Sequence, residues 1–141
     1  MCKTIKQKVH FKLPPATIYD LFIDSKKHSG LTKKKTQIDK KVGGPFKLQN
    51  GFINGINVDL KPGKRIVLAW RQKNFPEGIF SMVTLDLREP KPGNTELILT
   101  HRGVPKILIP NVERAWRQKY WLKIKEFAQK EHSLIFYRGR R

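Results

Sequence analysis

Residues 111–128 read NVERAWRQKYWLKIKEFA, and this stretch decides the fold that the sequence predicts. Its apolar residues recur at spacings of three and four, the period of an α-helix with one apolar face. That face carries Val112, Trp116, Tyr120, Ile124 and Phe127. A helix with three aromatic rings on one side must cover an apolar surface elsewhere in the chain, because leaving those rings in water is unfavourable.

The covered surface is predicted to be an antiparallel sheet, because residues 43–102 read as short strands separated by turns. The turns are marked by Gly43-Gly44-Pro45, Asn50-Gly51, Pro62-Gly63, Pro76-Glu77-Gly78 and residues 90–94. Asn-Gly is a strong hairpin signal, and Gly55 indicates either a bulge or a close approach of two backbones. Side chains alternate along the strands, and the predicted inner face carries Ile66, Leu68, Trp70, Ser81, Val83, Leu85, Leu87, Thr95, Leu97, Leu99 and His101.

The chain before this sheet predicts one strand and two short helices. Residues 4–13 alternate like a half-buried strand with a basic outer face. Pro14-Pro15 suits the start of a helix that ends at Ile23. Asp24 is a plausible cap for a second helical turn over residues 26–31.

The two ends of the long helix also carry predictions. Gly103, Pro105 and Pro110 indicate an exit loop after the last strand, and Asn111 is a plausible helix cap. Residues 132–141 form a basic tail in which an apolar quartet, 134–137, precedes Arg138-Gly139-Arg140-Arg141. The sequence leaves three alternatives for this quartet: it extends the helix, packs against the rest of the domain or contacts a partner. The predicted organisation is a single domain, 1–131, followed by this tail.

Composition indicates one folded domain without a membrane span. A length of 141 residues with 38% hydrophobic and 10% aromatic content supports a packed core. No apolar run approaches the roughly 18 residues that cross a bilayer, and residues 1–12 lack the apolar centre of a secretory signal. The single Cys2 allows neither an internal disulfide nor a cysteine-based metal site. A cytoplasmic protein is the simplest interpretation.

The formal net charge of +19 predicts attraction to anions. It is equally consistent with solubility alone. The candidate residues for an anion-binding or partner-binding surface are Lys33, Lys34, Lys35, Lys40, Lys41 and Arg71. Arg71 follows Trp70 and should therefore point to the opposite face of its strand. These residues, with the basic helix face, support the alternative function of this chain: electrostatic binding of nucleic acid, without sequence specificity, or of another anionic surface.

Six ordered motifs carry a resemblance to a known family. They are Gly43-Gly44-Pro45-Phe46, Asn50-Gly51 with Ile53 and Gly55, Pro62-Gly63-Lys64-Arg65-Ile66-Val67 leading to Trp70-Arg71, Pro76-Glu77-Gly78, Arg102-Gly103-Val104-Pro105, and Trp116 with Tyr120-Trp121. With Tyr19-Asp20-Leu21 in the first helix, they span residues 4–128. The chain resembles the family named after the C-terminal domain of the activator of the ninety-kilodalton heat-shock protein ATPase.

This resemblance implies a START-like (SRPBCC) helix-grip fold, the architecture of the birch-pollen allergen. In that α+β fold a curved antiparallel sheet wraps around a long C-terminal helix, and two short helices follow the first strand. The family name implies a non-catalytic protein that binds a heat-shock chaperone, in chaperone regulation and the stress response. The fold implies a small hydrophobic ligand in a cavity between sheet and helix. No cofactor is expected.

The candidate cavity residues lie on the inner face of the sheet and on the facing side of the helix: Leu68, Trp70, Val83, Leu85, Leu97, Leu99, His101, Trp116 and Tyr120. The polar edges of Trp and Tyr would orient an apolar ligand. The alternative is that the rings fill a solid core. A void of about 300 Å³ or more would favour the ligand.

No motif for catalysis or metal binding is visible. His101, on an inward strand face, is either a ligand contact and proton acceptor or a hydrogen-bonded core histidine. His10, His28 and His132 are scattered and lack the spacing of metal ligands. No Ser/His/Asp arrangement is evident. The sequence therefore predicts that the chain is not an enzyme and binds no metal.

Overall fold

The computed structural model describes residues 2–139 of the chain. Its strands are β1 (Cys2–Phe11), β2 (Gln37–Ile38), β3 (Pro45–Leu48), β4 (Ile53–Lys61), β5 (Arg65–Gln72), β6 (Ser81–Arg88) and β7 (Thr95–Pro105). Helices α1 (Pro15–Ile23) and α2 (Ser25–Thr32) lie between β1 and β2. After β7 come a 3₁₀ turn (Lys106–Leu108), α3 (Ile109–Ala115), a π-helical segment (Trp116–Trp121) and α4 (Leu122–Gly139). Met1, Arg140 and Arg141, which the predicted domain and tail include, lie outside the described residues.

The strands form one antiparallel sheet in the order β1-β7-β6-β5-β4-β3-β2. Every strand from β2 to β7 pairs with its neighbour in sequence, whereas β1 pairs with β7. Helices α1 and α2 therefore connect the two edges of the sheet. The START-like helix-grip fold is confirmed, including the two short helices after the first strand.

The predicted helix face is buried against this sheet. Val112, Trp116, Tyr120 and Ile124 are each less than 5% exposed, and Phe127 is half-buried against the same core. The inner face of the sheet meets them with fully buried side chains such as Val83, Leu85, Leu97 and Leu99. The alternation read from the sequence is confirmed along β6 and β7, where every residue predicted to face inward is buried. In β5, Ile66 and Trp70 are buried and Leu68 is half-buried.

Two backbone details explain how β3, β4 and β5 approach each other. The predicted Asn50-Gly51 turn is confirmed. Both of its residues and the preceding Gln49 have a positive φ. A Cβ atom on Gly55 would lie only 1.8 Å from the Ala69 carbonyl oxygen, so this glycine permits a close approach of β4 and β5. The bulge in this pair lies further along, between Asn57 and Asp59.

The predicted exit loop and helix cap are wrong. Strand β7 continues to Pro105, because its last residues pair with the start of β1, Cys2 opposite Pro105 and Lys3 opposite Val104. Asn111 lies inside α3, which begins at Ile109. Pro110 explains the earlier start, since proline favours the first helical positions and lacks the N–H that a cap would satisfy.

The long helix, which consists of α3, the π-helical segment and α4, runs through most of the predicted tail. Residues 132–139 extend α4, and His132 Nε2 lies 2.6 Å from the Lys12 carbonyl oxygen. Strand β2 was not predicted; it is two residues long and pairs with β3 at the edge of the sheet. Within residues 2–139, no helix combines the length and apolar character needed to cross a bilayer.

Candidate functional site

An aromatic cluster lies between the long helix and the sheet. Trp116 stacks on Trp121, with ring centroids 5.5 Å apart and planes 18° apart, and on Trp70 at 6.3 Å and 24°. The π-helical segment explains the first pair. In a π-turn the backbone bonds join residues five apart, here Leu122 N–H to the Arg117 carbonyl oxygen. Residues 116 and 121 therefore come onto one face, and both are buried.

His101 lies at the centre of this cluster and is completely buried. The indole N–H of Trp116 donates to His101 Nδ1 at 3.1 Å. His101 Nδ1 is thus an acceptor, so the proton is on Nε2, which lies 2.6 Å from Ser81 Oγ. Ser81 Oγ in turn donates to the Trp70 carbonyl oxygen at 3.1 Å. The chain of hydrogen bonds therefore runs from helix to strand with each donor matched to an acceptor.

The same geometry decides between the two interpretations of His101. Burial lowers the pKa of His101 to about 3, so the ring is neutral at physiological pH. In a serine nucleophile pair, Nε2 would accept the Ser proton and Nδ1–H would donate to a carboxylate. Here Nε2 donates, an indole donates to Nδ1, and Ser81 is buried. His101 is therefore a hydrogen-bonded core histidine.

A second histidine, His28 of α2, forms a parallel arrangement that the sequence did not reveal. His28 Nδ1 lies 3.1 Å from the Phe22 carbonyl oxygen, and Nε2 lies 3.0 Å from the Tyr120 hydroxyl. Because a carbonyl only accepts, Nδ1 donates to Phe22 and the Tyr120 hydroxyl donates to Nε2. Burial lowers the pKa of His28 and raises the pKa of Tyr120, so both groups are neutral at physiological pH. The long helix thus forms hydrogen bonds with two buried histidines. Trp116 bonds to His101 of β7, and Tyr120 bonds to His28 of α2.

The space left under the long helix is small. Its central part has a volume of about 20 Å³, which is room for one water molecule, and a second part beside Gln49 and Lys119 has about 30 Å³. Five of the nine candidate cavity residues line the central part: Leu68, Trp70, Leu85, Trp116 and Tyr120. The other four, Val83, Leu97, Leu99 and His101, are fully buried in the surrounding core. Ligand binding by these nine residues stays a prediction, and the volume does not favour it.

Five of the six candidate anion-binding residues lie between positions 33 and 41, and two of these five form ion pairs. Lys40 Nζ lies 2.9 Å from Asp24 Oδ2, and Lys41 Nζ lies 3.8 Å from Asp39 Oδ2. Lys33 ends α2 in the left-handed conformation and is exposed. Its neighbours in the loop are Lys34, half-buried, and Lys35, exposed.

Arg71 lies on the outer face of β5, opposite to Trp70 as predicted. Its guanidinium group donates to three backbone carbonyls of the β5–β6 loop, those of Phe75, Pro76 and Ile79, at 2.8–3.3 Å. Its N–H groups thus satisfy carbonyls that the loop leaves free. These hydrogen bonds give Arg71 a structural role in the β5–β6 loop. Partner binding by Arg71 stays a prediction. Among the residues that the structure describes, no three His, Cys, Asp or Glu side chains form a metal-binding group.

Comparisons with known proteins agree with this fold. The model of the family described as activator of Hsp90 ATPase homolog 1-like protein matches residues 12–129. The activator of 90 kDa heat shock protein ATPase homolog of Dictyostelium discoideum is 31% identical over 123 residues, which are 87% of this chain and 32% of that protein. The human homolog 1 is 33% identical over 89% of this chain and 36% of its own length. The chain spans about a third of the length of these curated relatives.

A solved structure extends the comparison to a protein of similar size. The crystal structure of an HSP90 activator from Plasmodium falciparum superposes with a TM-score of 0.84 at 25% identity. The match covers 88% of this chain and 94% of that one. Family model, relatives and fold agree over the same region, and the chain belongs to the activator of Hsp90 ATPase homolog 1-like family.

Proposed function

We propose that this chain is a non-catalytic regulator that binds a 90 kDa heat-shock chaperone and raises its rate of ATP hydrolysis. The observation that carries the proposal is the family match over residues 12–129, which includes strands β2 to β7 and the aromatic part of the long helix. The Dictyostelium discoideum and human relatives are described as activators of this ATPase, and this chain corresponds to about a third of their length.

The Plasmodium falciparum structure supports the proposal for a chain of this size. That chain is described as an HSP90 activator, and the match covers 94% of it. A solved chain of about this size is therefore described as an HSP90 activator, although it lacks the additional length of the human relative.

The packing supports a role that depends on the protein surface. The polar side-chain atoms of Trp116, Tyr120, His28 and His101 are hydrogen-bonded to each other, to the Ser81 hydroxyl or to the Phe22 carbonyl oxygen. A central space of about 20 Å³ is far below the roughly 300 Å³ of small-molecule sites. Partner contact therefore has more support than a hydrophobic ligand under the helix. Binding of nucleic acid stays a prediction without further support.

The test is steady-state ATP turnover by a purified 90 kDa heat-shock protein as this chain is titrated to saturation. A competitive inhibitor of the chaperone's nucleotide site identifies the turnover due to the chaperone, and the remainder is subtracted. We expect turnover to rise and then reach a plateau. Unchanged turnover across the titration, with this chain shown to be folded by circular dichroism, would contradict the proposal.

A further inference from the structure

A groove on the surface between α1, α2 and α4 is far larger than the space under the long helix. Its volume is about 460 Å³, against about 20 Å³ for the central space. Leu21 of α1, Leu31 of α2 and Phe127 of α4 contribute apolar side chains to its lining. We call this feature the helix groove. Its volume lies within the range of small-molecule sites, roughly 300–1,000 Å³.

Gly30 keeps the helix groove open. It lies inside α2, where glycine is unfavourable because it loses more backbone freedom than other residues. Its φ is not positive, and a Cβ atom at this position would meet no atom within 4 Å. Neither backbone conformation nor packing therefore requires a glycine here. A side chain at this position would instead project into the space that the groove occupies, since Gly30 lines it.

The rim of the helix groove is mainly cationic. It carries four lysines, Lys27, Lys33, Lys123 and Lys130, and two carboxylates, Asp20 and Glu126. Asp20 Oδ2 pairs with Lys27 Nζ at 3.6 Å. The other three lysines form no ion pair with any side chain that the structure describes. An apolar floor beside a rim with two more ammonium groups than carboxylates is complementary to a molecule with an apolar body and an anionic end.

We propose that the helix groove binds an elongated apolar molecule that ends in a carboxylate. The apolar body lies against Leu21, Leu31 and Phe127, and the carboxylate is paired with Lys123 or Lys130 at the rim. This site lies on the outer side of the helices and is separate from the space between sheet and helix. It does not depend on chaperone binding, so either proposal can fail without the other.

The probe for this site is decanoate, titrated into the ¹⁵N-labelled protein below the concentration at which it self-associates. Decylamine, which has the same chain length and a cationic end, is the matched ligand control. Decanoate should shift the amide signals of residues lining the groove. Decylamine should bind about fivefold more weakly, given the modest strength of exposed ion pairs. Equal binding of the two probes would overturn the assignment of an anionic ligand.

Two variants at one position test the location. Gly30→Phe fills the groove, and Gly30→Ala adds only a Cβ atom in open space. Decanoate affinity should fall by at least about tenfold for Gly30→Phe and stay within about twofold for Gly30→Ala. Equal affinity of both variants and the wild type would overturn the proposal. Should Gly30→Phe not fold, Lys123→Glu with Lys130→Glu replaces it, and undiminished affinity of that variant would likewise overturn the proposal.

Discussion

Replacing His101 with glutamine should weaken the dependence of stability on pH. In the folded protein the pKa of His101 is about 3, because burial opposes the charged ring, whereas an unfolded chain has a histidine pKa of about 6.5. Between these values the unfolded state binds a proton that the folded state does not. The free energy of unfolding therefore falls as pH falls through this window, and His101→Gln removes that part of the dependence.

The magnitude follows from the distance between the assay pH and the unfolded pKa. At pH 5.0, about 1.5 units below 6.5, protonation of the unfolded chain lowers the free energy of unfolding by about 2 kcal/mol per neutral buried histidine. The folded pKa of about 3 is far enough below pH 5.0 that the folded ring stays neutral. The lowered pKa of His28 also makes the free energy of unfolding fall with pH, and it does so in both the wild type and His101→Gln. The wild type should therefore lose about 2 kcal/mol more than His101→Gln between pH 7.5 and 5.0.

The assay is urea unfolding at pH 7.5 and 5.0 for the wild type, His101→Gln and the exposed control His10→Gln. At pH 7.5 the His101 variant should be less stable by about 1–3 kcal/mol, because the buried indole N–H of Trp116 loses its acceptor. The His10 variant controls for the removal of a histidine whose side chain is 66% exposed. Parallel curves for the wild type and His101→Gln would refute the reasoning.

Three further substitutions test local contacts by urea unfolding at pH 7.5. Tyr120→Phe removes the hydroxyl that donates to buried His28 and should lower the free energy of unfolding by about 1–3 kcal/mol; no loss would contradict that bond. Gly55→Ala places a Cβ atom 1.8 Å from the Ala69 carbonyl oxygen and should cost at least about 3 kcal/mol; wild-type stability would show that the strands are further apart. Gly30→Ala should add about 0.5–1 kcal/mol, and a loss would mean that its surroundings are not open.

The architecture was predictable because burial imposes a period on the sequence. Inward residues such as Val83 and Leu85 alternate, and Val112 to Ile124 recur every four residues, so both elements could be read without coordinates. The burial of Trp121 beside Tyr120 could not be read in this way, because a five-residue turn departs from the α-helical period. Asn111 was misread because Pro110 also favours a helix start, at an earlier position.

The polar contacts of the core were less predictable than its fold. His28 lies between Lys27 and Ser29 in α2, and nothing in that local pattern indicates burial. It becomes buried because Tyr120, distant in sequence, approaches it from the long helix. The sequence also left open whether the aromatic rings enclose a cavity or fill the core. The answer depends on how the rings of Trp70, Trp116 and Tyr120 stack, and residue spacing says nothing about that.

The central claim is that two neutral, buried histidines bond to the long helix and leave the core closed beneath it. Nitrogen NMR of the imidazole rings tests this most directly, because the chemical shifts report which ring nitrogen carries the proton. At pH 7.5 the account predicts two neutral rings of opposite tautomers, with the proton on Nε2 of His101 and on Nδ1 of His28. A doubly protonated ring at either position, or the same tautomer at both, would contradict it.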